Sequence, residues 1–112
     1  MRINVRFHGI EGDPLLIEHA GRKLHQHLSR FGRHVTRVTV RFSDLNGPKG
    51  GEDKRCQLTA AGPRLGQVHL AETHADVYAG LDLAIDRLAR VIGRSLERAG
   101  RSPANHEARS VT

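Results

Sequence analysis

Between Arg2 and His8 apolar and polar residues alternate strictly, with Ile3, Val5 and Phe7 on one side and Arg2, Asn4, Arg6 and His8 on the other. A period of two marks a strand half buried in a sheet. After Gly12-Asp13-Pro14 the period changes: Ile17, Ala20, Leu24, Leu28 and Phe31 recur at helical spacing. Asp13 stands where a cap is needed, and Pro14 takes the first helical position, where a missing N–H does no harm. Gly32 is expected to close this helix. Alternation returns with Val38, Val40 and Phe42 on one face and Arg37, Thr39 and Arg41 on the other, ending at Ser43-Asp44. Leu45 to Asp53, with Asn46-Gly47-Pro48 and Gly50-Gly51, has no period and is expected to be a mobile loop. Two short strands follow, Lys54 to Ala61 with Cys56, Leu58 and Ala60 inward, and Leu65 to Glu72 with Val68 and Leu70 inward, joined through Gly62-Pro63 as a hairpin. From Ala75, the residues Val77, Leu81, Ala84, Ile85, Leu88, Ile92 and Leu96 mark a second helix, expected to stop at Gly100 and Pro103. The tail to Thr112 is expected to be disordered.

The order β-α-β-β-β-α predicts an α+β fold in two layers, a four-stranded sheet with two helices packed on one face around a single core. With 112 residues the chain suffices for one such domain and is too short for two, which places the domain at 1–100 and the tail at 101–112. The other sheet face is left to solvent and carries Arg2, Arg6, Arg37, Arg41 and Arg55.

Charge narrows the partner. Lys and Arg outnumber Asp and Glu by 18 to 12, and only Lys23, Lys49 and Lys54 are lysines. Arginine's planar fork suits bidentate contact with phosphate. A net charge of +6 and a pI near 10.7 favour a polyanion, because cations that neutralise phosphates release condensed counterions. No apolar run approaches the ~20 residues of a membrane span, and the N-terminus does not resemble a signal peptide. A cytoplasmic location is therefore expected, with no membrane partner. The single Cys56 cannot form an internal disulfide, which suits a reducing compartment.

On the second helix Arg87, Arg90, Arg94, Arg98 and Arg101 fall within an arc of ~80° at ~100° per residue, away from the apolar stripe. Such a ridge repels itself, unlike a solvated helix with mixed signs at i,i+4. The first helix adds Arg22, Lys23 and Arg30, with Arg33, His34 and Arg37 at its exit. With both helices on one side of the sheet, these groups are placed to line one basic groove. No aromatic residue shares the open sheet face, so base stacking in the manner of an RRM is not expected, and recognition should rest on phosphates and shape.

Catalytic and metal chemistry find little footing. His25 and His27 are two apart on a helix and point apart, and one cysteine without paired acids offers few ligands, so no metal site and no cofactor are expected. Cys56 is expected to face the core, although Lys54 and Arg55 beside it keep a redox role open. Gly50-Gly51 leads to Glu52-Asp53 and not to the Lys-Ser/Thr pair of a phosphate loop. No catalytic residue and no small-molecule substrate are expected.

The string Asp76-Val77-Tyr78-Ala79-Gly80-Leu81-Asp82, followed by Ala84-Ile85-Asp86-Arg87-Leu88, resembles the D-x-Y-x-x-(I/L)-(D/N) opening of the last helix in the ribosome hibernation-promoting factor family, the ribosome-associated inhibitors also described as sigma-54 modulation proteins. Lys23-Leu24 with Phe31 beyond it, Val35-Thr36-Arg37-Val38 and the element order extend the similarity over roughly residues 1 to 100. The resemblance implies a non-enzymatic factor that occupies the mRNA and tRNA channel of the 30S subunit on 16S rRNA, inhibits translation and stabilises idle ribosomes. It implies RNA contact at Lys23, Arg87, Arg90 and Arg94, which match basic places in the family pattern; helix geometry adds Arg30, Arg33 and Arg98. The glycine-rich loop departs from the family and resembles a divergent branch, and Gln26 and Gly93 stand where basic residues are common. A short form is expected, in which pairing of 70S particles needs a separate factor. Two alternatives stand beside this expectation: a general structured-RNA-binding module, since the β-β-β-α half resembles a double-stranded RNA-binding domain, and a redox or stress protein dependent on Cys56.

Overall fold

The first alternating segment forms strand β1 (Arg2–His8), and helix α1 (Pro14–Leu28), strand β2 (Arg37–Asp44), strand β3 (Lys54–Gly62), strand β4 (Gly66–His74) and helix α2 (Val77–Arg101) follow in order. The computed structural model describes residues 1–45 and 53–101. The loop expected between Leu45 and Asp53 lies outside these residues except at its two ends, as does the tail expected beyond residue 101.

The strands form a sheet in the order β1-β2-β3-β4, with β1 parallel to β2 and the other pairs antiparallel. The register lines up apolar residues in rows across all four strands: Ile3, Val38, Ala60 and Val68; then Val5, Val40, Leu58 and Leu70; then Phe7, Phe42, Cys56 and finally Glu72. Phe7 and Phe42 stack with ring centroids 5.4 Å apart. Both helices lie over this face, α1 through Leu16, Ala20, Leu24 and Leu28, and α2 through Leu81, Ala84, Ile85, Leu88 and Ile92, and these residues are buried. Each fully buried Leu, Ile or Phe is worth roughly 1.5–3 kcal/mol relative to exposure. The two-layer α+β arrangement expected from the hydrophobic pattern is the one formed.

Several details differ from expectation. Leu16, not Ile17, enters the core; Ile17 is 44% exposed. In the first turn Leu16 points straight at the sheet, so the next residue is turned by ~100° toward solvent. Helix α1 ends at Leu28 and not at Gly32. A 3₁₀ segment (Ser29–His34) follows, kinked at Gly32 with φ of 56°, a left-handed value that glycine adopts without strain. Phe31 stays against the core because i,i+3 spacing after Leu28 suits the tighter helix. Leu65 belongs to the hairpin turn and β4 begins at Gly66, whose φ of 75° reverses the chain. Helix α2 begins at Val77 and not at Ala75, and it continues through Gly100, since a single glycine costs a helix only ~1 kcal/mol.

The two helices are tied at their N-termini. Asp13 Oδ1 accepts from the Leu15 N–H at 3.0 Å, the expected cap, while its Oδ2 accepts from the Tyr78 hydroxyl at 3.3 Å. Asp76 caps α2 by accepting from the Tyr78 N–H at 2.9 Å. His19 of α1 bonds Asp82 at 2.8 Å and packs edge-on to the Tyr78 ring.

At the far end, β3 runs hard against the chain entering β2. The Thr36 N–H donates to the Ala61 carbonyl at 2.8 Å, and a Cβ on Gly62 would collide with the His34 carbonyl. Gly62→Ala should therefore destabilise the protein by ~1–3 kcal/mol or more. Gly21, on α1 with open space where a Cβ would stand, should behave oppositely: Gly21→Ala should stabilise by roughly 0.5–1 kcal/mol. Urea unfolding of both variants checks the pair.

Candidate nucleic-acid interface

Packing of Leu81, Ala84, Ile85, Leu88 and Ile92 into the core turns Arg87, Arg90, Arg94 and Arg98 outward. Two of them pair with acids, which relieves in part the repulsion expected of a ridge of arginines. Arg87 Nη1 donates to Glu72 Oε2 at 2.6 Å and to the Ala71 carbonyl at 3.3 Å. Arg90 Nη1 donates to Asp86 Oδ2 at 2.6 Å, and Arg98 Nη2 to Ser95 Oγ at 3.4 Å. Arg94 makes no ion pair among the described residues. Glu72 relieves the repulsion from another element, at the end of an apolar row on β4. Exposed pairs of this kind are worth ~0–1 kcal/mol, so Arg90, with its side chain 61% exposed, can still exchange its partner for another anion.

Three of the seven candidate residues converge. Arg30, Arg90 and Arg94 line a groove of about 380 Å³ between the 3₁₀ segment and α2, with Phe31, Ala89 and Gly93 at its floor and Glu97 on its rim. The Arg30 guanidinium lies 4.7 Å from the centre of the Phe31 ring, a cation–π contact that holds it over the groove. Gly93 faces the same ring, and a Cβ there would sit 3.9 Å from it. The place where a basic side chain was expected is thus open floor.

The other four lie apart. Lys23 is half-buried on α1, and Arg98 lies further along α2. Arg33 lines a separate hollow of about 420 Å³ with Met1, His25 and Leu28. Arg87 is turned to the edge of β4. Phe31 was missed as part of the groove, though its place next to Arg30 was a signal: a cation beside an aromatic residue in a helical exit. Nothing in the sequence pointed to Glu72, since its pairing with Arg87 exists only once β4 and α2 are packed.

Cys56 is buried, and its thiol is pushed up to about 12, first by burial and then by the Glu72 carboxylate across the sheet row. A thiolate nucleophile is thereby suppressed near neutral pH, and the redox alternative loses its chemical basis. The Tyr78 hydroxyl is also raised, by desolvation first and by the Asp13 carboxylate second. Among the described residues no cluster of three His, Cys, Asp or Glu is placed to hold a metal. None of their helices is long and apolar enough to cross a membrane.

The family model described as Sigma 54 modulation protein / S30EA ribosomal protein matches residues 3–99. The chain belongs to that family. It is the family of ribosome-associated factors suggested by the D-x-Y string. No curated protein matches the chain. Among solved structures, a ribosomal subunit interface protein from Coxiella burnetii is similar at 19% identity and TM-score 0.71, covering 84% of this chain and 96% of that one. The N-terminal domain of Protein Y from Thermus thermophilus is similar at 24% identity and TM-score 0.70, covering 84% of this chain and 98% of that one. These two likenesses establish the fold. In this family member the D-x-Y string is architectural, since Asp76 caps α2 and Tyr78 ties it to Asp13.

The native Cys56 thiol should resist alkylation at pH 8 and react fully in urea. Its effect on stability follows from the raised value. Below pH 9.0 the thiol is protonated in both states; between 9.0 and about 12 only the unfolded chain releases the proton, so stability falls across that window. Urea midpoints measured against pH should show this fall, and Cys56→Ala should lack it.

Proposed function

We propose that the protein binds 16S rRNA in the mRNA and tRNA channel of the 30S subunit, inhibits translation by occupying that channel, and stabilises idle ribosomes without any catalytic step. The observation that carries this reading is the convergence of Arg30, Arg90 and Arg94 on one groove in a member of a ribosome-associated family. Similarity to a protein described as a ribosomal subunit interface protein agrees with it.

Physically, the groove suits a phosphate backbone. Two exposed guanidiniums on α2 and a third held by Phe31 offer planar, bidentate donors at fixed positions, and no ordering of a long flexible loop is needed to present them. Lys23, Arg33 and Arg98 supply flanking contacts, and Arg87 joins them by sharing or releasing Glu72. Binding driven by six or more such contacts loses ~10³-fold in affinity between 50 and 200 mM salt. The site of action would be the cytoplasm, where ribosomes are.

Sedimentation with 30S, 50S and 70S particles at two salt concentrations tests this function. Salt-sensitive pelleting is expected to be stronger with 30S and 70S than with 50S, and this preference should vanish when Arg30, Arg90 and Arg94 are all changed to Glu. A preference for 30S and 70S that survives this triple reversal would sink the groove as the contact surface. Equal affinity for naked duplex RNA and for ribosomes would replace the ribosomal reading with that of a general RNA-binding module.

A further inference from the structure

The face of the sheet turned away from the helices carries a charge pattern that the groove does not account for. Register places Arg2 beside Arg37 and Arg6 beside Arg41 on the paired strands β1 and β2, and Arg55 lies on the same face of β3. Like charges directly opposite in a sheet destabilise it. Yet none of these arginines forms an ion pair among the described residues, whereas Arg87 and Arg90 of the helix face both do. The acids of the strands, Asp44 and Glu72, share the register parity of the core residues and are spent on Lys54 and Arg87 on the helix side. Around the arginines stand Asn4, Thr39, Gln57, Thr59 and His69, without an acid and without a Phe, Tyr or Trp.

The face also has shape. Thr39, Arg41, Gln57, Thr59 and His69 line a polar hollow of about 210 Å³ near its centre. Thr59 and His69 hydrogen-bond across its wall at 2.8 Å. At the start of β3, Arg55 Nε is buried without a hydrogen-bond partner among the described residues. The two arginine pairs are four residues apart along the strands, about 13 Å at ~3.3 Å per residue.

We propose that this open face is a second binding surface for the phosphate backbone of structured RNA, independent of the groove between Arg30 and α2, so that one molecule engages two RNA segments on opposite sides. The arginine pairs take phosphates along two lines of backbone, and the hollow beside them, which Arg41 also lines, admits one more, with Thr39, Gln57 and Thr59 available to hydroxyls and phosphate oxygens. The absence of Phe, Tyr and Trp leaves only imidazole rings for stacking and disfavours unstacked single strands. The absence of exposed large apolar residues among the strand residues of this face disfavours an anionic membrane, whose surface binders bury an apolar side. The argument stands on the sheet alone and does not require the ribosomal reading.

The test starts from the Arg30→Glu, Arg90→Glu, Arg94→Glu protein, in which the groove is disabled, and uses a 16-base-pair RNA duplex as probe. That protein should still bind the duplex in a salt-dependent manner. Adding Arg2→Gln, Arg6→Gln, Arg37→Gln and Arg41→Gln should weaken the remaining binding by ~10-fold or more at 50 mM salt and flatten its slope against log salt by roughly 3–4. These changes remove cross-strand repulsion, so the fold should be at least as stable, which a urea midpoint checks. The otherwise unaltered protein should bind two duplexes by sedimentation equilibrium, and the protein carrying only the four glutamines should bind one. Duplex affinity and salt slope left unchanged by the four glutamines would overturn the proposal. So would binding of the groove-disabled protein to anionic lipid vesicles in preference to the duplex.

Discussion

The row Val5, Val40, Leu58 and Leu70 crosses all four strands, and the burial of this row and its neighbours beneath α1 and α2 is the constraint on which the remaining structure depends. Because a strand points successive side chains to opposite faces, committing one face to the core forces everything at the intervening positions outward. The same burial fixes the rotation of each helix. Once Leu16, Ala20, Leu24 and Leu28 are down, Lys23 has no choice but the helix flank. Once Leu88, Ala89 and Ile92 are down, Arg90 and Arg94 must face the space beside Phe31. The basic surfaces are in this sense by-products of core packing, positioned by rigid elements and not by loops.

Charge is distributed with a clear division. On the helix side acids and bases are interleaved, and Glu72, Asp86 and Asp44 each hold a cation. On the open side of the sheet the described strand residues are arginines, histidines, uncharged polar groups and two alanines, with no acid among them. An ion pair at an exposed site adds little stability, so its presence or absence says more about what a surface meets than about how the chain folds. Arg87 shows the distinction. Its place on the helical wheel makes it look like a free phosphate ligand, but its bonds to Glu72 and the Ala71 carbonyl fasten α2 to the edge of β4.

The D-x-Y string illustrates how a motif can identify a family without lying at the basic groove. Asp76, Tyr78, Asp82, His19 and Asp13 form a connected set that joins the beginnings of both helices, and replacing one member leaves a neighbour's hydrogen bond unmade. The groove residues lie two and more turns further along α2, and Gly93 opens its floor in place of a side chain. Recognition of the family and recognition of the contact surface therefore rest on different residues.

Element order, the two apolar faces, the Asp13 cap, the inward Cys56 and the excess of arginine were all readable from the sequence, because each depends on spacing within one segment or on composition. The exits of the helices were not. Whether α1 continues to Gly32 or tightens at Ser29 depends on where Phe31 finds the core, and whether α2 passes Gly100 depends on the turn before it, not on the glycine alone. Ile17 and Leu16 cannot be separated by periodicity either, since both are apolar and adjacent. Above all, the sequence named seven basic candidates and grouped them in one groove, of which only three converge. Arg30 meets Arg90 and Arg94, and Glu72 claims Arg87, only across contacts between elements distant in the chain. Periodicity within an element fixes which way a side chain points; which partner it meets there is decided by how the elements pack together.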